Sequence, residues 1–166
     1  MKGDGNMRVI FLDFDGVLNT ERYLRERDPR TQSILDEAKL TLLRRIVEET
    51  GAMIVLSTSW RRHWDPDSVR WDATWKPCGE ALRNHGLTVY DRTPDYEDHS
   101  GNNRDREVRD WLTAHKGEVE SFVILDDVRM GWEELSERLV NTNPYRGLTE
   151  EMANEAVQHL RTPVEA

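Results

Sequence analysis

The sequence predicts an α/β fold in which a central parallel sheet carries helices on both faces. Two observations predict it. Short apolar runs rich in β-branched and aromatic residues alternate along the chain with longer stretches of helical spacing, the order of strand–helix–strand units. Two of these runs also end alike: Val9-Ile10-Phe11-Leu12 leads into Asp13-Phe14-Asp15-Gly16, and Phe122-Val123-Ile124-Leu125 leads into Asp126-Asp127. In open α/β sheets ligands bind at the carboxyl ends of strands, so acid clusters at two strand ends mark a site as well as a fold.

The elements follow in order. The first strand is read over Arg8 to Asp13. A helix is predicted from Thr31 to Glu49, with Leu35, Ala38, Leu42, Leu43, Ile46 and Val47 at helical spacing and Gly51 as its stop. The second strand is Ala52 to Ser57 and a short third one is Leu87 to Tyr90. Val108, Trp111 and Leu112 mark a helix ending near Gly117, followed by a fourth strand, Ser121 to Asp126. Trp132 to Leu139 reads as a helix and Leu139 to Asn141 as the start of a fifth strand. Thr149 caps the last helix, with Glu150 and Glu151 in its first turn. The stretch from His63 to Asn103 shows no clear period and reads as irregular.

At 166 residues the chain suits one domain, residues 8–166, behind a polar, glycine-rich leader, residues 1–7. Met7 is a candidate alternative start. No apolar stretch approaches the roughly 18–20 residues of a membrane span, and no secretory h-region is visible. A single cysteine, Cys78, excludes an internal disulfide and fits a reducing compartment, so a cytoplasmic location is expected. One cysteine without paired histidines also argues against zinc. The net charge of −9 argues against broad attraction to nucleic acid or anionic membrane, while leaving local basic segments such as Arg61-Arg62 open.

Like charges clustered at a strand end call for a cation or a proton. A calcium loop of the EF-hand type fails, because its twelfth position from Asp13 is Leu24 and a strand precedes it. Phosphoryl transfer fits better. It needs a nucleophile, charge neutralisation on the transferred oxygens and a group that manages the leaving-group proton. Asp13 is the candidate nucleophile and Asp15 the candidate acid and base, with Mg²⁺ held among Asp13, Asp15, Asp126 and Asp127. Ser57 and Thr58, at the end of the second strand, can hold a phosphate, and Gly16 and Arg61 are further candidate substrate contacts. Arg104 is the candidate phosphate-binding cation, with Arg106 the alternative.

Together these residues resemble the haloacid dehalogenase (HAD) superfamily of phosphatases. Its first motif is matched by Asp13 to Gly16 with Val17-Leu18-Asn19, its second by Ser57, its third by Arg104 and its fourth by Asp126-Asp127. Leu56-Ser57-Thr58-Ser59-Trp60-Arg61, Val123-Ile124-Leu125-Asp126-Asp127 and the tail Leu139-Val140-Asn141-Thr142-Asn143 with Gly147-Leu148-Thr149 look like the phosphatase domains of Swiss Army knife RNA-repair proteins, which are similar in organisation to polynucleotide kinase-phosphatase modules. The resemblance implies a Rossmann-like HAD fold with the first strand central, a Mg²⁺ cofactor, an aspartyl-phosphate intermediate and a substrate phosphorylated at an RNA or DNA 3′ end or on a nucleotide. The short span between Gly16 and the next helix leaves room for little or no cap. Trp60, Trp64, Trp71 and Trp75 lie near the second strand, either as packing under a long loop or as stacking surfaces for bases. Trp111 and Trp132 read as core. The rival functions are a mononucleotide or small-molecule phosphatase, a phosphomutase-like transferase, and a non-catalytic metal- or phosphate-binding module.

Overall fold

A computed structural model describes residues 7–96 and 103–164. The rest of the leader read from the sequence, residues 1–6, lies outside the described residues, and Met7 is the first residue of β1. The strands are β1 (Met7–Leu12), β2 (Met53–Leu56), β3 (Val89–Arg92), β4 (Val119–Asp126) and β5 (Leu139–Asn141). They form one five-stranded sheet in the order β3-β2-β1-β4-β5, every pair parallel. The first strand is central, as the Rossmann-like reading requires.

Side chains alternate across β1 and serve two apolar layers. Ile10 and Leu12 pack with α2 (Glu37–Thr50), α3 (Lys76–Asn84) and α5 (Glu150–Leu160). Val9 and Phe11 pack on the other face with Val108 and Trp111 of α4 (Asn103–Ala114) and with Trp132. Trp111 and Trp132 are core residues, as read from the sequence.

Four differences from the sequence reading have local causes. The helix expected from Thr31 begins at Glu37, because the Asp36 side chain accepts from the Ala38 N–H and caps it there. A short helix, α1 (Glu21–Glu26), precedes it, started by Thr20, whose hydroxyl accepts the Tyr23 N–H at 3.0 Å. The stretch read as irregular contains α3, which Pro77 and Gly79 disguise. Proline is tolerated in a first helical turn, and a Cβ on Gly79 would lie 2.5 Å from the Trp71 ring and 2.7 Å from Trp75 Nε1. Trp132 to Leu139 is a 3₁₀ segment, Glu133–Arg138, rather than an α-helix. Its entry is set by Glu133 at φ 48° and by the Trp132 indole, which donates to the Val128 carbonyl at 2.8 Å.

Among the described residues no separate cap core forms. Only α1 lies between β1 and α2, and Trp75, Cys78 and Leu82 of the insertion after β2 join the main core. No helix of the described residues is long and apolar enough to cross a membrane.

Candidate active site

The site stands on the carboxyl edge of the sheet, where the ladder runs on past the strands. Asp13 N–H donates to Leu125 C=O (3.0 Å), Ser57 N–H to Leu12 C=O (2.8 Å), Thr93 N–H to Leu56 C=O (3.0 Å) and Thr142 N–H to Asp126 C=O (3.0 Å). The residues that leave each strand are therefore still held in register, a rigid base for chemistry.

Asp13 follows β1 and is almost fully buried. Its Oδ1 accepts the Phe14 N–H at 2.8 Å, and Phe14 anchors the turn by stacking on Trp75, ring centroids 5.8 Å apart. Arg104, in the first turn of α4, sets one nitrogen, Nη1, 2.8 Å from Asp13 Oδ2 and 2.8 Å from Asp126 Oδ2. The other Asp126 oxygen accepts the Val128 N–H at 2.9 Å. Arg106, the alternative cation, lies over the Tyr96 ring at 4.0 Å.

Asp13, Asp126 and Asp127 each offer a carboxylate oxygen, all within 4.8 Å of one another. Burial, then the Asp126 charge, pushes the Asp13 carboxyl up to about 8 against the pull of Arg104. Burial likewise raises Asp126 and Asp127, again opposed by Arg104. For Arg104, burial disfavours the charge, but Asp13 and Asp126 outweigh it and hold the guanidinium protonated. Three carboxylates against one guanidinium leave the cluster net negative where water is scarce. Hard oxygens with an unmet charge are a fitting donor set for Mg²⁺.

Gly16 makes the close approach possible. It sits at φ +81°, and a Cβ there would lie 2.2 Å from Asp127 Oδ2. Its carbonyl accepts the Thr142 hydroxyl at 2.7 Å, tying the β1 turn to the end of β5. Ser57 is fully buried and its Oγ has no partner within the described protein, which leaves that hydroxyl available to a ligand. Thr58 is also buried, but its Oγ1 accepts the Trp60 N–H at 3.3 Å and caps the 3₁₀ turn Ser59–His63.

Asp15 does not join the three-carboxylate group and is exposed. Asn19 Nδ2 donates to its Oδ1 at 3.1 Å and Trp60 Nε1 donates to its Oδ2 at 3.1 Å. Arg61 turns inward. Its Nη2 lies 2.8 Å from Glu107 and 3.0 Å from Asp95, and its Nη1 donates to the Thr58 carbonyl at 2.8 Å. It thus ties the turn after β2 to the helix that carries Arg104. Arg62 pairs with Asp95 at 2.5 Å. These arginines, with Asn103 and Arg104, border a cleft of about 490 Å³.

Sequence reasoning placed Asn19 and Thr142 only inside motif segments, with no role of their own, and did not single out Glu107. A buried polar residue in an apolar run, as in Val17-Leu18-Asn19, was the available signal for the first. Of the tryptophans near β2, Trp75 and Trp64 are buried packing residues and Trp71 packs against them, whereas Trp60 reaches Asp15.

A parallel sheet with a central first strand, helices on both faces and acids at the ends of β1 and β4 defines a HAD-type α/β domain. Over residues 9–153 the chain matches the family described as the HAD domain in Swiss Army Knife RNA repair proteins, and it belongs to that family. Membership supports a hydrolase of the phosphatase type. No curated protein and no solved structure matches the chain.

Proposed function

We propose that the protein is a Mg²⁺-dependent phosphomonoester hydrolase acting on the 3′-phosphate ends of nucleic acids or on nucleotides. The observation that carries this reading is the single Arg104 nitrogen shared at 2.8 Å by Asp13 and Asp126, with Asp127 alongside. A nucleophilic carboxylate, a cation for the phosphate and residual negative charge for a metal meet at one strand edge.

In this mechanism an Asp13 oxygen attacks phosphorus and the bond from phosphorus to the leaving oxygen breaks. The Asp15 carboxylic acid gives its proton to that oxygen, and the alcohol departs. Water then attacks the phosphorus of the aspartyl-phosphate and yields its proton to Asp15. The bond to Asp13 breaks and inorganic phosphate leaves. Arg104 and the Ser57 hydroxyl hold phosphate oxygens through both steps. Asp13, Asp126 and Asp127 would hold Mg²⁺, which supplies positive charge against the phosphate when bound. The family's setting in RNA repair supports a nucleic-acid end as substrate.

The test is phosphate release with Mg²⁺ from a 3′-phosphorylated oligonucleotide, a 5′-phosphorylated one and nucleoside monophosphates. The 3′ end is expected to be preferred, and Asp13→Asn is expected to be inactive yet folded. Preference for mononucleotides would move the protein to nucleotide metabolism. Turnover by Asp13→Asn would refute the mechanism, and metal binding without turnover would favour a binding module.

A further inference from the structure

We infer that Trp60 is a positioning residue for Asp15, setting the carboxyl group for proton transfer to the leaving oxygen. The inference rests on the reading of Asp15 as the acid and base.

The juxtaposition follows from the sheet. Leu12 and Leu56 are paired at the adjoining ends of β1 and β2. Asp15 and Trp60 lie just beyond them and meet at the same edge, with Trp60 Nε1 3.1 Å from Asp15 Oδ2. The Thr58 cap and the Arg61 N–H to Thr58 C=O bond at 3.1 Å fix the turn that carries the indole. Arg61 locks the same turn to Glu107. Asp15 is gripped from its other side by Asn19, whose amide is itself immobilised. Asn19 is buried, its Oδ1 accepts the Gly16 N–H at 3.0 Å and its Nδ2 also donates to the Ile34 carbonyl at 3.0 Å.

Each Asp15 oxygen thus accepts one N–H from a different element, so the plane of the carboxyl group is set while a lone pair on each oxygen stays open for a proton. An indole N–H donates only and cannot take the proton itself. Three of the other tryptophan donors serve elsewhere, and the buried Trp75 Nε1 has no partner among the described residues. Trp71 and Trp132 donate to backbone carbonyls, and Trp111 donates to Asp91.

Positioning of the acid matters most when the leaving group is a poor one. A ribose hydroxyl must be protonated as it leaves, whereas p-nitrophenolate departs as a stable anion. kcat/KM reports the first irreversible step, departure of the alcohol, and is independent of the later attack by water.

The experiment measures kcat/KM for a 3′-phosphorylated oligonucleotide and for p-nitrophenyl phosphate with the wild-type protein, Trp60→Phe and Asp15→Asn. Trp60→Phe keeps an aromatic ring and removes the N–H. The ratio of the alkyl to the aryl value is expected to fall about tenfold or more in Trp60→Phe, and further in Asp15→Asn, given the roughly 10²–10⁴-fold worth of general acid catalysis. Aryl turnover by Trp60→Phe doubles as proof that the variant folds. An unchanged ratio in Trp60→Phe, with a reduced one in Asp15→Asn, overturns the inference and leaves the mechanism standing. An unchanged ratio in Asp15→Asn removes the acid role and the inference with it, as does a wild-type protein that hydrolyses neither ester.

Discussion

Arg104→Met isolates the charge balance of the site. Arg104 Nη1 touches Asp13 and Asp126 at 2.8 Å each, and Asp127 completes a group within 4.8 Å. Without the arginine, three buried or half-buried carboxylates face one another with no protein cation between them. A charge pair about 4 Å apart is worth about 4 kcal/mol at an effective dielectric near 20. Removing Arg104 also returns its own desolvation penalty, so the net loss is smaller than the two contacts together. Breaking one side of a buried pair costs about 3–5 kcal/mol in practice, against a total stability of roughly 5–15 kcal/mol for a domain. Arg104→Met should therefore remain folded but lose about 3–5 kcal/mol in EDTA at pH 8.5. At pH 6 the loss should be smaller, since a carboxyl already held high by burial escapes by taking up a proton. Adding Asp13→Asn removes one of the stranded charges and should recover part of the loss, a non-additivity expected of groups in contact. The assay is urea unfolding of both single variants and the double variant in EDTA at the two pH values. An Arg104→Met protein within about 0.5 kcal/mol of wild type, or a double variant no more stable than Arg104→Met, would refute the reasoning.

Three further outcomes are expected. In EDTA the wild-type protein should lose stability as pH rises from about 4 to about 8, because the folded Asp13 carboxyl sits near 8, above its ordinary range, and a raised folded value contributes stability only below it. Mg²⁺ should reverse that loss, so thermal melting with and without metal should diverge more at pH 8 than at pH 6. Gly16→Ala combines φ +81° with a Cβ 2.2 Å from Asp127 Oδ2, and should cost more than about 1 kcal/mol and shrink the Mg²⁺-induced rise in melting temperature. Glu107→Ala leaves the buried Arg61 with Asp95 as its remaining carboxylate partner and should destabilise by about 3 kcal/mol in urea, with Glu107→Gln milder because its amide oxygen still accepts.

The sheet and its acids were legible because each rests on neighbours in sequence. An apolar run followed by aspartates is a strand end whatever the rest of the chain does, and Asp13, Asp126 and Asp127 meet because parallel strands bring their carboxyl ends to one edge. The link between Asp15 and Trp60 was not legible, since it needs β1 beside β2, a fact of strand order rather than of spacing. α3 was hidden because Pro77 and Gly79 are local breakers, and only the packed Trp71 and Trp75 rings explain why a glycine belongs there. Arg61 reads as a substrate contact from the sequence, and only the fold shows it buried between Glu107 and Asp95 instead.

The choice between Arg104 and Arg106 lay within reach of sequence alone. Val108 and Trp111 define the inward stripe of α4, and position 104 stands four residues before the first and seven before the second, on the same face of a helix with 3.6 residues per turn. Position 106, two residues on from 104, points away by more than half a turn. The apolar period that places the helix on the sheet also decides which arginine overlooks the strand ends. Arg104 accordingly lies against Asp13 and Asp126, while Arg106 lies over Tyr96.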